Sequence, residues 1–491
     1  MSAFTERLNK CIKESGMSKN RLIETCHVNR ATFFQCMNGK RLPTEELLEN
    51  LIRALQLTPG EEAEVKRLYH VAQIGEPVYQ NRQCAKKCLE TVAALSRVPV
   101  TQFLQFQGHA EQLSNTLLIQ GENQVFQQLC YMIQAEMLRP KPRIDMFMPQ
   151  RHSAFFEYLK ALFRNSDEKE LRLRQLIQFS NKKRDKTKES LEFYDSILFF
   201  LAANCEGYEA YYYYAETDFA DSIGILYPYT LATSTAMFVL NETMDKGILS
   251  SDRAVLDAYQ VQFEAALTKT HQFHTPFKGT RQIESYILGT LTEGSNGYQY
   301  FATPFFAPYL SFDMVEKYCP AHEVDAILEY ILDYHNSRRR RGCITSFCSE
   351  RGLMEFARTG IIGEHPIDLI MPLDVEDRRK VLEQILYSPP KWTQMYLMDE
   401  SKVAVSDEFV FFLSEGLRIS TYRKKLPKLR MFCFEEQNLL EAFGDFFASL
   451  PESEYVLPHS ELERVLRAAI DSCGGQPSDS VDLRNRLSEG R

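Results

Sequence analysis

Arg30, Ala31, Thr32 and Gln35 carry the chemical groups that read the edges of base pairs. An Arg guanidinium bonds bidentately to guanine O6 and N7, a Gln amide does the same to adenine, and an Ala or Thr methyl packs on the thymine methyl. Their spacing, with Phe34, puts them on one side of a helix whose other side would carry Phe33 and either Cys36 or Met37, packed inward with Val28. Ser18, Lys19, Asn38, Lys40 and Arg41 flank this set with hydroxyl, amide and cationic groups suited to phosphate oxygens. Phosphate contacts fix the register of a protein on a duplex, while base edges supply sequence preference.

The stretch that must position these residues is SKNRLIETCHVNRATFFQCMNGKR, Ser18 to Arg41. Ser18 is placed to cap a first helix whose apolar stripe is Leu22, Ile23 and Cys26. His27 and Val28 make the turn, Asn29 caps the second helix, and Gly39 can take the left-handed conformation that ends it. The segment resembles the helix-turn-helix of lambda-repressor-like (Cro/CI, or xenobiotic-response-element) regulators, whose signature ends in Asn-Gly-Lys followed shortly by Pro, here Asn38-Gly39-Lys40-Arg41-Leu42-Pro43. It departs from that pattern at Lys19, where Gln often opens the first helix, at Cys36, where a large aromatic or aliphatic residue is common, and at Met37, where Glu is common. The resemblance covers residues 1 to 70 and implies a small all-α domain that docks on duplex DNA. A domain of this size makes few contacts alone, so a homodimer on paired half-sites about one helical turn apart is expected. Two short amphipathic helices around a turn also occur in bundles that never meet DNA.

Charge separates these alternatives. Residues 1–41 hold eight basic groups against three acidic ones, a balance of +5, whereas residues 42–64 hold Arg53 against six glutamates, a balance of −5. The whole chain is acidic, with net charge −9. Duplex DNA would repel such a protein everywhere except at the basic patch, so the patch sets the docking orientation.

At 491 residues the chain is too long for one core. Residues 1–75 read as a helical bundle: Phe4, Leu8, Cys11 and Ile12 stripe a first helix, Thr44 caps another with Leu47, Leu48, Leu51, Ile52 and Leu55, and Thr58-Pro59-Gly60-Glu61 is a capping box. Residues 76–99 read as a linker or helix, with Cys84, Cys88, Leu89, Val92 and Leu95 as the apolar positions, either a dimer contact or a helix packed on its own domain. From residue 100 the pattern becomes mixed. A first α/β or α+β domain is expected over 100–276, with strands at 143–149, 171–180, 208–216, 224–229 and 233–241 and helices at 153–164, 188–204 and 252–270. A second is expected over 277–473. Its helices are placed at 282–291, 312–318, 322–337, 350–358, 375–387, 435–450 and 460–472, and its strands at 344–348, 392–398, 409–413, 417–422 and 429–434. Residues 474–491 read as a disordered polar tail, and no sequence repeat is evident. The fold class is thus an all-α helix-turn-helix bundle followed by a large mixed α/β (or α+β) region.

No catalytic or cofactor signature is present: there is no P-loop, nucleophile elbow, His-Glu-x-x-His or dinucleotide glycine fingerprint. Gly294-Ser295-Asn296-Gly297 reads as a turn. His271 and His274 would share a helical face but have no third metal ligand nearby, and Cys84/Cys88 and Cys343/Cys348 are the closest thiol pairs. Arg338 to Arg341 is either an anion site or a solvated helix end, and Tyr211 to Tyr214 would put two rings on each face of a strand. No apolar run spans a bilayer and the N-terminus has no signal-peptide core, so a cytoplasmic protein without membrane contact is expected. The expectation is a sequence-specific transcriptional regulator whose partners are double-stranded DNA, a second copy of itself and a small-molecule or peptide effector. An enzyme or an interaction scaffold carrying a DNA-addressing domain is the alternative.

Overall fold

The computed structural model describes residues 2–94, 116–148, 153–164, 171–180, 189–202, 207–215, 226–278, 296–320, 328, 342–364, 370–423 and 426–473. The helix expected at 282–291, most of that at 322–337, the arginines 338–341 and the tail 474–491 lie outside these residues. The chain forms two compact units, Met1–Gln83 and Cys84–Arg491.

The first unit is helical: α1 (Ala3–Glu14), α2 (Lys19–Thr25), α3 (Arg30–Met37), α4 (Glu45–Leu55) and α5 (Pro59–Ile74). Every one of these helices is opened by a side-chain cap, from Ser2, Ser18, Asn29, Thr44 and Thr58 in turn, so the backbone donors that a helix start leaves orphaned are partly satisfied five times over. Thr58 and Glu61 complete the capping box. Phe4, Leu8, Leu22, Phe33, Leu51 and Val65, one or more from each helix, meet in a single core. α6 (Glu76–Ala94) begins directly after Gly75, which has φ +88°. Pro77 therefore lies in the first turn of α6, where its missing N–H costs nothing, and does not interrupt a helix. The boundary between the units falls within α6, whose Ala85, Cys88, Leu89 and Val92 belong to the core of the second unit.

The second unit contains two sheets. The first collects β1 (Thr116–Gln120), β2 (Arg143–Phe147), β3 (Arg172–Ser180), β4 (Tyr208–Ala215), β5 (Tyr229–Thr233), β6 (Met237–Leu240), β7 (Lys246–Ser250) and β8 (His271–Gln272). Its helices are α7 (Glu122–Met137), α8 (Ser153–Arg164), α9 (Glu189–Ala202) and α10 (Arg253–Leu267). The second sheet collects β9 (Thr275–Lys278), β10 (Gly297–Tyr300), β11 (Ile344–Cys348), β12 (Thr393–Leu397), β13 (Phe409–Leu413), β14 (Leu417–Arg423) and β15 (Leu426–Phe434). Its helices are α11 (Phe312–Tyr318), α12 (Glu350–Thr359), α13 (Val375–Tyr387), α14 (Gln437–Ser449) and α15 (His459–Ser472).

The two sheets are built alike. The order β1-β7-β6-β5-β2-β3-β4 in one repeats as β9-β15-β14-β13-β10-β11-β12 in the other, and β8 is an addition at the edge of the first. In each, three strands run parallel and are joined by helical crossovers, and the next three form an antiparallel meander. The sequence shows no such repeat because equivalent positions carry unlike residues. β2 and β3 pair Asp145 with Arg174, whereas Gln299 and Ser346 pair across β10 and β11.

Several expectations are corrected here. Of the strand placed at 224–229, residues 224 and 225 lie outside the described residues and, of 226–229, only Tyr229 is in a strand, while the strand placed at 233–241 is a turn followed by β6. Thr233 Oγ1 accepts from the Ala236 N–H, and Ser234 gives both its N–H and hydroxyl to the buried Glu136, so hydroxyl side chains that looked like strand formers make the turn instead. The first sheet has eight strands among the described residues, not about five, and α7 was not expected at all. A division at 276/277 cuts through β9, which pairs with β15, and one apolar core continues from Phe179 and Tyr194 through Phe273 to Phe434 and Phe447.

Candidate functional site

The residues expected to meet DNA are gathered on α2, α3 and the turn that follows α3. Ser18 Oγ accepts from the Arg21 N–H at 3.3 Å, and Asn29 Oδ1 accepts from the Ala31 N–H at 2.8 Å, so both short helices have fixed starts. Between them His27 takes a left-handed φ of +49°, a conformation a short polar or imidazole side chain tolerates in a tight turn. α3 ends at Met37 with Asn38 as its C-cap, Gly39 follows at φ +70°, and the Lys40 N–H returns to the Gln35 carbonyl at 2.9 Å. Asn9 ties α3 to α1 by donating to the Met37 carbonyl at 2.9 Å, and the Tyr69 hydroxyl holds Pro43 O at 2.8 Å, which fixes the chain just beyond Arg41.

Arg30, Ala31 and Gln35 are exposed, as are Ser18, Lys19, Asn38, Lys40 and Arg41. Thr32 is only half-buried, so its methyl is partly covered. Phe34, expected on the outer side, is also half-buried. Its ring meets Phe33 edge-on at 5.7 Å, with Lys19 Nζ and the Arg30 guanidinium each 5.8 Å from its centroid. This ring packs two cations of neighbouring helices together and holds them on one surface. Cys36 and Met37 both face inward, where one of the two was expected. Burial pushes the Cys26 and Cys36 thiols up, so neither offers a thiolate.

Ion pairs in this unit gather on α1, α4 and α5, while Lys13, Arg53 and Arg67 stay unpaired among the described residues. Arg7 bonds Glu64 at 2.6 Å and lies near Glu14 and Glu61, Lys10 meets Glu14, and Lys66 meets Glu49 and Glu62 at 2.8 Å each. The acidic α4–α5 segment is thus largely consumed by cations of its own side. Lys19, Arg21, Arg30, Lys40 and Arg41 are in no ion pair among the described residues. Arg21 was not among the expected contacts. It is exposed and stands three residues after the Ser18 cap.

Among its described residues the second unit brings together no comparable set of exposed cations. His271 and His274 lie on or beside β8, not on a helix: His271 is exposed, and His274 is buried against Tyr208, Phe432 and Phe434, where burial pulls it down to about 4. No group of three or more His, Cys, Asp and Glu residues able to hold a metal ion occurs among the described residues. Cys84 and Cys88 sit 4.0 Å apart on α6, and their shared hydrogen bond, followed by burial, pushes Cys88 up. Cys343 precedes β11 and Cys348 ends it, and both are free thiols. Gly297 opens β10 and is not part of a turn, with Asn296 accepting from the Cys343 N–H at 3.0 Å. On β4, Tyr211 and Tyr213 pack with Phe263, while Tyr212 and Tyr214 face Phe179. Tyr214 and Tyr194 both donate to the buried Glu436, Tyr194 at 2.6 Å, and Glu436 also accepts from the Leu439 N–H at 2.8 Å. A fully buried Arg174 holds Asp145 at 2.6 and 2.8 Å and Glu264 at 2.7 Å. Asp145 is thus answered by a cation and Glu436 by neutral hydrogen-bond donors.

No family model matches the chain, and no curated protein does. Among solved structures, TrmBL2, an archaeal chromatin protein whose structure is described as showing a novel mode of DNA binding, is 12% identical, covers 47% of this chain and 83% of its own, and superposes with a TM-score of 0.23. Polyphosphate kinase from Porphyromonas gingivalis is 9% identical, covers 72% of this chain and 56% of its own, with a TM-score of 0.21. Similarity of that degree assigns neither a fold nor an activity. No described helix is long and apolar enough to cross a membrane.

Proposed function

We propose that the chain is a sequence-specific DNA-binding transcriptional regulator of the lambda-repressor-like helix-turn-helix kind. Arg30, Ala31, Gln35 and the exposed part of Thr32 on α3 meet base edges in the major groove. Ser18, Lys19, Arg21, Asn38, Lys40 and Arg41 meet phosphates on either side. The second unit assembles the protein and responds to an effector. The observation that carries this reading is the clustering of five cations, Lys19, Arg21, Arg30, Lys40 and Arg41, all exposed and without a carboxylate partner among the described residues, on and around α2 and α3. Such a cluster, in a chain of net charge −9, leaves each of its cations able to exchange counterions for phosphate.

The test is selection of the full-length protein on a random duplex pool, followed by titration of the enriched site at salt concentrations between about 50 and 200 mM. Enrichment of one motif and a log–log salt slope of about −0.9 for each phosphate engaged are the expected results. A pool that stays random, or binding insensitive to salt, would remove the α2–α3 surface from any role with DNA.

A further inference from the structure

The repeated strand order places α10 and α14 in equivalent positions, each following the last strand of its antiparallel meander. The local chemistry repeats as well. Asp252 caps α10 by accepting from the N–H groups of Ala254 and Val255, and Glu436 caps α14 by accepting from those of Asn438 and Leu439. Eleven residues past each cap stands a buried phenylalanine, Phe263 or Phe447, that packs onto its own sheet. The two helices differ on their outer faces. In α14 that face is Leu439, Ala442 and Phe446, all buried within the unit, and its N-terminal cap Glu436 is held by Tyr194 and Tyr214 of the other half. In α10 the equivalent positions Val255, Ala258 and Gln262 are exposed, Val255 at 40%.

The exposed surface of α10 carries a central apolar stripe, with Gln262 beside it. Ala254, Ala258, Val261 and Ala265 recur at the spacing of one helical face, Val255 lies beside them, and Val261 is 71% exposed. Charges lie along one flank only: Arg253, Asp257 and Glu264. We propose that this face is covered by the α10 of a second copy of the chain, packed antiparallel about a two-fold axis near Ala258 and Val261. In an isologous contact residue i meets j and j meets i, so like flanks face each other. Antiparallel pairing then brings Arg253 of one copy to Glu264 of the other, and the reverse, while Asp257 falls opposite Gln260. The complementarity is between unlike charges at both ends, which a parallel pairing would replace by Arg253 against Arg253. Glu264 spends one carboxylate oxygen, Oε1, on Arg174 and Arg143 and is 49% exposed, which leaves Oε2 for the second copy.

A helix face about 16 Å long makes a small interface, of the kind that associates at micromolar concentration and tightens when both copies hold one DNA. The inference rests on the proposed function only for that last step, so its test is made without DNA. Sedimentation velocity of the full-length protein from about 1 to 100 μM should show a concentration-dependent monomer–dimer equilibrium. Val261→Asp, at a site open to solvent in the monomer, should raise the dissociation constant at least about a hundredfold, because a two-fold interface meets the charge twice. Val261→Leu should leave it within about threefold. A wild-type protein that stays monomeric over that range would overturn the proposal, since another part of the molecule then covers the face. A dimer that Val261→Asp leaves intact would overturn it equally, since the contact then lies elsewhere. In both cases the duplex-selection result for α3 stands or falls separately.

Discussion

Replacing His274 with Phe should flatten the acid sensitivity of the second unit. The imidazole is 3% exposed, lies 6.4 Å from the Tyr208 ring in a near-parallel stack, and touches Phe432 and Phe434. Burial alone brings it from about 6.5 to about 4, because no neighbouring carboxylate compensates the loss of water around a charged ring. The unfolded chain therefore takes up a proton at His274 near pH 6.5 that the folded chain accepts only near pH 4, and lowering the pH across that window favours unfolding. From pH 7 to pH 5 the difference amounts to about 2 kcal/mol, approaching about 3 kcal/mol below pH 4. Trp392 is the sole tryptophan and lies in the second unit, packed with Phe305 and Phe412, so its fluorescence reports this transition without contribution from the helical unit. Urea unfolding followed at Trp392 should show the wild type losing about 2 kcal/mol more than His274→Phe between pH 7 and pH 5. Equal losses in the two proteins would mean that His274 is protonated in the folded state at pH 5, and that the aromatic stack does not hold it neutral.

Three further outcomes follow from the geometry. Arg30→Ala and Gln35→Ala should each relax preference at one position of the selected site, by about 1–3 kcal/mol per bidentate contact, as read by competition between point-mutated duplexes; uniform weakening across all sequences would show a phosphate contact instead. Lys40→Ala combined with Arg41→Ala should weaken binding to every sequence and reduce the salt slope by about two units, and an unchanged slope would take both residues out of the interface. Arg174→Met should cost the second unit about 3–5 kcal/mol in urea unfolding because Asp145 loses a buried partner, while the Arg174→Met/Asp145→Leu pair should cost less; a double variant as unstable as the single one would show that packing, not the orphaned charge, sets the penalty.

What the sequence disclosed tracks how local each determinant is. Caps act within four residues, so the starts of α2 to α5 are readable from Ser18, Asn29, Thr44 and Thr58 alone. Strand β13, a run of apolar residues, and strand β11, with Ile344, Thr345 and Phe347 as β-formers, are equally visible. β1, β7 and β9 are not, because strands of four or five residues carry little periodicity and are fixed by partners far along the chain: Thr116 pairs with Ser250, and Thr275 with Cys433. The same holds for the candidate site. Outward placement of Arg30, Ala31 and Gln35 follows from helical spacing, but the partial covering of Thr32 and Phe34 depends on how α2 crosses α3, which Lys19 and the Phe34 ring settle jointly. The absence of carboxylate partners around Arg30 and Arg41 is likewise a property of the folded arrangement of glutamates and not of their number.

The repeated strand order has a kinetic meaning. Two bodies with the same topology, joined in one chain through the short passage from β8 to β9, are a dimer whose members cannot diffuse apart. Their effective concentration is of millimolar order whatever the cellular copy number. Contacts far weaker than those of a free dimer then suffice to hold the halves together, so few polar anchors, such as the Glu436 acceptor for Tyr194 and Tyr214, are needed between them. If one anchor is lost, the shared apolar core still holds the halves, and any local opening closes again in an intramolecular step that dilution does not slow.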